Sequence, residues 1–238
     1  MREAYAGFDF GKVNATLFNF CTNELSAFYF DIRKDSLYCD KAAAPRRRAA
    51  RTVIDETFRR IVTWFAPILC FTMEEAWLSR FPGENESVHL QDFPATPKGW
   101  ADPALIRKWS RIRELRRVIT GALEIARADK TIGASLEAAP ILAVTDAADL
   151  ALFNTVDLAE IAITSAASIE LASGAPEAGA FILADAKGAF VHFARADGEK
   201  CDRCWRVLPE VAVNQKNNHR HLCDRCTDAL AALESVPA

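Results

Sequence analysis

Two closely spaced cysteine pairs constrain this chain more than any other feature of its sequence. Cys201 and Cys204 form one Cys-x-x-Cys pair, Cys223 and Cys226 form a second, and eighteen residues separate the two pairs. A two-residue gap lets both sulfurs of a pair turn back onto one ion, and two pairs complete a shell of four thiolates at about 2.3 Å from zinc. A closed shell leaves no position for water, so the spacing predicts one structural Zn²⁺ and no catalytic metal.

Other interpretations of these cysteines fit the sequence less well. A redox Cys-x-x-Cys is expected as one pair near a βαβ pattern, whereas two pairs occur here in a turn-rich tail. A pair of disulfides is a further alternative. His219 and His221 lie between the pairs and are alternative ligands, although four thiolates already fill the shell. The sequence shows no signal peptide and no apolar run of membrane-spanning length. We therefore expect a reducing, cytoplasmic setting.

The charge of the chain is unevenly distributed. The net charge of −3 does not by itself indicate a nucleic-acid-binding protein. Residues 33–60, however, hold nine basic and four acidic side chains, and residues 105–130 hold eight basic and three acidic ones. Residues 137–197 hold nine acidic and two basic side chains. Such a one-sided field suits a polyanionic partner.

The first hundred residues are predicted to be helical. Apolar residues recur at helical spacing from Phe10 to Lys34, with Asp9 as the N-cap, and again from about Arg46. Pro67 is expected to interrupt the second run. The capping box Thr72–Glu75 predicts the start of a third helix that reaches Arg80. A connector rich in proline and glycine follows up to Pro103, and regular structure is not expected there.

The second half is predicted to be mixed. A basic helix is expected over Leu105–Ala128. After it, the predicted strands are Pro140–Val144, Ser168–Ala172 and Ala189–Ala196. Three helices are also predicted: Ala147–Asn154 with Asp146 as its N-cap, Leu158–Ala162 with Asp157 as its N-cap, and Thr227–Glu234. The predicted fold class is therefore mainly α: a helical bundle, a small α+β module and a four-cysteine zinc ribbon. The expected domains are 1–100 (bundle and connector), 101–197 (basic helix and α+β module) and 198–238 (ribbon and terminal helix).

Several segments together resemble the C-terminal region of bacterial-type isoleucyl-tRNA synthetases, which are class I enzymes. The segments are Asn19–Asp40, Ala66–Trp77, Ser87–Pro94, Lys130–Ala138 and the knuckle Gly198-Glu-Lys-Cys-Asp-Arg-Cys-Trp205. The first two would also fit the valine and leucine enzymes, and the knuckle favours the isoleucine enzyme. The resemblance implies an anticodon-binding bundle, here expected to begin without its first helices, followed by a zinc ribbon.

The chain departs from this family in one respect. Neither a His-Ile-Gly-His nor a Lys-Met-Ser-Lys-Ser type signature of the nucleotide-binding domain is present. The family's reaction is the ATP-dependent charging of tRNA with isoleucine. We do not expect this chain alone to carry out that reaction. We expect it to be the part that binds tRNA, with the catalytic portion of a synthetase as a further partner.

The resemblance also implies that the bundle lies along the anticodon stem and that the ribbon reaches the loop. Unstacked loop bases are accessible to aromatic side chains, and Trp205, next to the second thiolate, is the candidate platform. Packing beneath the ribbon is its alternative role, and simple solvation is the alternative for the basic residues. The basic candidates for tRNA contact are Arg203, Arg206 and Arg225 in the ribbon, Arg33, Lys34, Arg46, Arg47 and Arg48 in the bundle, and Arg107 and Arg111 in the basic helix.

Two other classes of function were compared with this one. DNA glycosylases of the formamidopyrimidine type carry a similar C-terminal ribbon, but they need a catalytic proline and glutamate at the N-terminus. The chain begins Met1-Arg2-Glu3 and offers no proline there. A stand-alone, non-catalytic RNA-binding or regulatory protein derived from a synthetase is an alternative that the residues do not separate from the first interpretation.

Overall fold

A computed structural model describes residues 1–176, 178–213 and 221–234 of the chain. The fold is mainly α-helical, as predicted, with small sheets in the second half. It divides into two compact units, one made of Met1–Leu37 and Ala42–Ala101, the other of Tyr38–Lys41 and Asp102–Ala238. The expected division into three domains stays a prediction.

The first unit begins with a short helix and a long helical run. Helix α1 spans Arg2–Ala6 and α2 spans Phe10–Asn19. Asp9 caps α2 as predicted, because its side chain accepts a hydrogen bond from the backbone N–H of Lys12 at 2.9 Å. Helix α3, Asp31–Cys39, ends the run five residues beyond the predicted end.

The segment between α2 and α3 differs from the prediction of a regular α-helix. Phe20–Phe30 is a π-helix, in which backbone hydrogen bonds reach five residues along the chain instead of four. The change of period moves the buried face. Leu25 is buried in this segment, whereas Phe20, one of the apolar residues of the predicted helical run, is 38% exposed.

Two further helices complete the first unit. Helix α4 spans Pro45–Phe65, and α5 spans Cys70–Arg80. The predicted capping box at Thr72 is wrong, because α5 starts two residues earlier and its N-cap, Leu69, makes no side-chain cap hydrogen bond. The reason is a tight turn at the end of α4, where the N–H groups of Ile68 and Leu69 both donate to the Phe65 carbonyl at 2.8 Å.

The connector after α5 is held against the first unit although it has little regular structure. It contains two 3₁₀ turns, Val88–Leu90 and Lys98–Trp100. A carboxylate oxygen of Glu74 on α5 accepts hydrogen bonds from Ser87 Oγ at 3.0 Å and from the Val88 N–H at 2.8 Å. Val88 is buried beside Trp77, Val62 and Ala66 in one of the small cores of this unit.

Helix α6 and a four-stranded sheet form the centre of the second unit. Helix α6 spans Pro103–Ala128 and is capped by Asp102. The strands are β1 (Ile141–Val144), β2 (Ser168–Leu171), β3 (Phe181–Ile182) and β4 (Ala189–His192), in the order β2-β1-β4-β3. Strands β1 and β2 are parallel, and β4 is antiparallel to both β1 and β3. Helices α7 (Ala147–Leu152) and α8 (Leu158–Ala162) connect β1 to β2, and Asp146 and Asp157 cap them as predicted.

Aliphatic side chains fill the space between α6 and this sheet. Leu115, Val118, Ile119, Leu142 and Val144 are each fully buried there. Helix and sheet approach closely at Gly121, where an added Cβ atom would lie 2.6 Å from the ring of Phe181 on β3. None of the helices in the described ranges combines the length and the apolar character needed to cross a bilayer.

Candidate metal centre and nucleic-acid interface

The first cysteine knuckle is the turn of a small hairpin. Strands β5 (Glu199–Lys200) and β6 (Val207–Leu208) pair antiparallel, and the Cys201 N–H donates to the Arg206 carbonyl at 2.8 Å. The Trp205 N–H donates to the Cys201 carbonyl at 2.9 Å, which closes the turn. Gly198 at its entrance has a φ of +105°, and an added Cβ would lie 2.2 Å from the Leu208 carbonyl carbon, so only glycine fits.

The second knuckle lies at the start of a helix, with one cysteine before it and one in its first turn. Helix α9, Pro209–Val213, follows β6, and α10, Asp224–Glu234, starts directly after Cys223. The Cys223 N–H donates to Cys201 Sγ at 3.3 Å, and the Asp202 N–H donates to the His221 carbonyl at 2.9 Å. These bonds join the two knuckles. All four cysteines are buried, and their sulfurs lie within 4.8 Å of one another.

The four thiols fit a zinc ion. A tetrahedron with zinc–sulfur bonds of about 2.3 Å places its sulfurs roughly 3.8 Å apart, and Cys204 Sγ and Cys223 Sγ are 3.7 Å apart. Hydrogen bonds with Cys223 and Cys226 lower the pKa of the Cys204 thiol, and the contact with Cys204 raises the pKa of Cys223 to about 11. A divalent cation among the four sulfurs favours four thiolates, because coordination deprotonates a thiol.

Of the two histidines that were alternative zinc ligands, His221 lies within the described residues. His221 is exposed, and its Nδ1 lies 3.3 Å from a carboxylate oxygen of Glu199. It is not part of the sulfur cluster. His219 lies outside the described residues.

The three ribbon arginines predicted to contact tRNA all bind acceptors within the protein. Arg203 donates to the Cys39 carbonyl at 2.6 Å and to the Tyr38 carbonyl at 2.9 Å. Arg206 donates to the carbonyl of Ser165. Arg225 Nη1 lies 3.2 Å from a carboxylate oxygen of Asp40. The sequence spacing gave no sign of these partners, which lie between 41 and 185 residues away.

Trp205 in the ribbon faces solvent. Its side chain is 61% exposed, so it does not pack beneath the ribbon. Its backbone has a φ of +66°, which is uncommon for a residue with a bulky side chain. The ammonium group of Lys200 on β5 lies 5.4 Å from the centre of the indole ring. Lys200 was missed in the sequence, although its place one residue before Cys201 was a usable signal.

The basic candidates of the bundle occupy different environments. Lys34 is exposed and lies 2.9 Å from Asp31, and Arg46 lies 3.7 Å from Asp35. Arg33 lies over the ring of Tyr29 on the same helical run, 6.0 Å from its centre. Arg47 is partly buried, whereas Arg48 is exposed on the first turn of α4. Their contact with tRNA stays a prediction.

Arg48 lines an open groove in the first unit with two arginines that sequence reasoning missed. The groove has a volume of about 660 Å³, and its walls include Arg51, one turn further along α4, and Arg80 at the end of α5. Phe58 and the carboxylates of Asp55 and Glu56 also line it. The spacing of three residues between Arg48 and Arg51 indicated a shared helix face, whereas the approach of Arg80 depends on the tertiary fold.

Arg107 and Arg111 lie on the same helix but have different environments. Arg107 is exposed. Arg111 forms a two-bond ion pair with the buried carboxylate of Asp149 on α7, with nitrogen–oxygen distances of 2.9 and 2.6 Å. It also donates to the Lys187 carbonyl, and the bonds to Asp149, with a further one to Glu114, raise its pKa. Arg111 therefore holds α6 against the sheet module.

Two protein families match the chain. Residues 1–143 match the family described as the anticodon-binding domain of tRNA ligase. Residues 198–229 match a zinc finger found in FPG and IleRS, which contains all four cysteines. The predicted structural zinc is thereby confirmed, since the matched finger contains the sulfur cluster. The assignment of the four cysteines as its ligands stays a prediction.

Curated relatives agree with the first match. The isoleucine–tRNA ligase of Ruegeria pomeroyi is 54% identical over 97% of this chain, and those of Bartonella henselae and Brucella abortus are 49% and 50% identical over 89% and 90%. The matched part spans 23%, 21% and 22% of these relatives, so the chain spans less than a quarter of their length. The resemblance to isoleucyl-tRNA synthetases is confirmed, and because the larger match covers more than half of its residues, the chain belongs to the family of anticodon-binding domains of tRNA ligases.

Proposed function

We propose that this chain binds the anticodon stem-loop of a tRNA, and that the tRNA is the one specific for isoleucine. Cys201, Cys204, Cys223 and Cys226 hold one zinc ion that shapes the ribbon without taking part in chemistry. The chain supplies binding rather than catalysis, and its protein partner is the catalytic portion of an isoleucine–tRNA ligase in the cytoplasm. The relatives that carry this name support the proposal.

The observation that carries the proposal is the exposed indole of Trp205. The side chain projects from a turn that is closed by the hydrogen bond from the Trp205 N–H to the Cys201 carbonyl. The residue before Trp205 is the buried Cys204. Because the turn already holds the backbone that carries this ring, little backbone conformational entropy is lost when a base stacks on it. Unstacked bases are available in RNA loops, and stacking one base on an aromatic side chain contributes about 1–3 kcal/mol.

Charge near the indole and in the bundle suits the phosphate backbone of such a loop and stem. Lys200 is exposed beside Trp205, where it can meet a phosphate of the stacked nucleotide. In the first unit, Arg48, Arg51 and Arg80 line one groove. Contacts of this kind position RNA without reading its sequence, and they weaken as salt is added.

The test is a titration of fluorescently labelled stem-loops with the purified, zinc-loaded chain. One stem-loop carries the anticodon of isoleucine tRNA and the other a scrambled anticodon, each at two salt concentrations. We expect tighter binding to the isoleucine loop at both salt concentrations. Trp205→Ala is expected to weaken this binding about 5- to 150-fold, the equivalent of about 1–3 kcal/mol, with unchanged zinc content.

Trp100→Ala is the matched control, because Trp100 is also exposed, at 55%, but lies in the first unit and stacks against Arg60. It should bind as the unchanged chain does. Equal affinity of Trp205→Ala and the unchanged chain would refute the role of the indole. Equal, salt-sensitive binding of both stem-loops would show that the chain supplies electrostatic affinity alone and does not select the tRNA.

A further inference from the structure

One guanidinium connects the candidate zinc site to a segment far away in the sequence. Arg203 Nη1 donates to Cys226 Sγ at 3.5 Å and to the Cys39 carbonyl at 2.6 Å, while Nη2 donates to the Tyr38 carbonyl at 2.9 Å. Cys39 is itself buried against the four cysteines of the ribbon. Tyr38–Lys41 and the ribbon belong to the same compact unit. Arg203 therefore contacts a metal-ligating thiol and the end of α3 at once.

Both sets of acceptors favour a cation at this position. Helix α3 ends at Cys39, and the last carbonyls of a helix lack partners within the helix and carry partial negative charge. Four thiolates around Zn²⁺ carry a net charge of −2, which a buried site must offset.

A second contact joins the same two parts of the unit. Arg225, the residue before Cys226, lies 3.2 Å from the carboxylate of Asp40, which is only 6% exposed. Lys41 lies 3.3 Å from Asp228 on α10, although both side chains are largely exposed. The second knuckle is thus held to Tyr38–Lys41 by side chains on both sides of Cys226.

We propose that Arg203 is a positioning residue of the zinc site, and that zinc loading orders the segment Tyr38–Lys41 through it. The fork of the guanidinium reaches the sulfur and both carbonyls together. A lysine ammonium offers no such planar fork. With zinc bound, the thiolate of Cys226 fixes Arg203, and Arg203 fixes the end of α3. The inference rests on the four-cysteine zinc site of the proposed function and goes beyond it.

The first experiment measures zinc retention in Arg203→Met and Arg203→Lys. Transfer of zinc to an excess of the chromogenic chelator 4-(2-pyridylazo)resorcinol gives the rate of zinc release and the affinity of the chain for zinc. Loss of a hydrogen bond to a metal ligand typically weakens metal binding about 10- to 100-fold, and we expect that range for Arg203→Met and a smaller effect for Arg203→Lys. Co²⁺ substituted for zinc should show an altered thiolate-to-metal absorption band in Arg203→Met.

The matched control is Arg206→Met, because Arg206 lies in the same ribbon but its side chain donates to the Ser165 carbonyl and not to a ligating thiol. It should keep the zinc affinity and the Co²⁺ spectrum of the unchanged chain. Equal affinities of Arg203→Met, Arg206→Met and the unchanged chain would overturn the positioning role. A chain that takes up no zinc at all would overturn both this inference and the zinc site.

The second experiment measures hydrogen–deuterium exchange in the peptide that covers Tyr38–Lys41. We expect slow exchange in the zinc-loaded chain, and faster exchange both after zinc removal and in zinc-loaded Arg203→Met. Zinc-loaded Arg206→Met should exchange slowly. Exchange in this segment that does not change when zinc is removed would overturn the coupling, even if Arg203→Met weakens zinc binding.

Discussion

The core around α6 and the ribbon belong to one compact unit but are stabilised by different means. Between α6 and the sheet, Ile119, Leu115 and Leu142 are completely buried, and aliphatic contacts fill the space. In the ribbon the buried residues are mainly the cysteines, with Val211 and Leu222 beside them. The first region has a hydrophobic core of its own, whereas the second has thiols and a few apolar side chains.

The difference indicates what each region depends on. Burying one large aliphatic side chain contributes about 1.5–3 kcal/mol, so a core with many such side chains is stable without help. Structural zinc in small domains contributes about 10–16 kcal/mol of binding free energy, most of which appears as folding free energy. The ribbon should therefore fail when the metal is lost, and the α6 core should fail when packing is lost.

Zinc removal should have the largest effect, and the effect should be confined to the ribbon and the segment Tyr38–Lys41 that contacts it. We expect Cys223→Ser, or treatment with a strong chelator, to expose the remaining ribbon thiols to 5,5′-dithiobis(2-nitrobenzoic acid) while most of the far-UV circular dichroism of the helices persists. Cys70→Ser is the control, because Cys70 is exposed in the first unit. A collapse of the whole helical signal on zinc loss would break the comparison between the two regions.

Truncation of a side chain in the α6 core should lower the stability of the fold without loss of zinc. Ile119 is 0% exposed, and Ile119→Ala is expected to lower the free energy of unfolding by about 2–5 kcal/mol, because the lost methyl groups leave a cavity. Urea unfolding followed by circular dichroism measures this, and zinc content should not change. Ile125→Ala on the same helix, at a position 51% exposed, should change stability by less than about 0.5 kcal/mol. Zinc loss in Ile119→Ala would show that the ribbon depends on the core.

The ion pair on α6 should have the smallest of the three effects. Arg111→Met leaves the carboxylate of Asp149, whose side chain is 9% exposed, without its main partner. We expect a loss of about 1–3 kcal/mol in the free energy of unfolding, and partial recovery in the double variant Arg111→Met, Asp149→Leu, which removes both charges. Arg107→Met, an exposed arginine one turn earlier, is the control. Equal stability of the two single variants would show that the pair contributes nothing.

Local signals in the sequence were sufficient for much of the fold and for the metal site. The two cysteine pairs predicted a cluster that the structure contains. Asp9, Asp146 and Asp157 predicted helix starts, because an N-cap needs only the next three residues. The two-residue strands β3, β5 and β6 were not predicted, since a strand this short is defined by its partner and not by its own pattern.

The features that the sequence did not predict have two causes: contacts between residues far apart in the chain, and a change of helix type. Arg203, Arg206 and Arg225 looked like free cations beside a metal site, and their acceptors at Cys39, Ser165 and Asp40 have no sequence signature. The π-helix over Phe20–Phe30 also escaped prediction, because its apolar residues suit the period of an ordinary helix equally well. Trp205 was predicted to be a platform for an RNA base from its position beside Cys204, with packing beneath the ribbon as the alternative, and its exposure agrees with the first hypothesis.

The contact between Arg203 and the Cys39 carbonyl spans 164 residues of sequence, and this separation has a consequence for synthesis on the ribosome. At about 5–20 residues per second, the end of α3 is made roughly 8–33 s before the ribbon that covers it. During this interval Cys39, which is buried in the finished chain, has no ribbon to pack against. Translation rate, and zinc supply when the ribbon is made, should therefore determine how long this thiol stays accessible to oxidation or to chaperones.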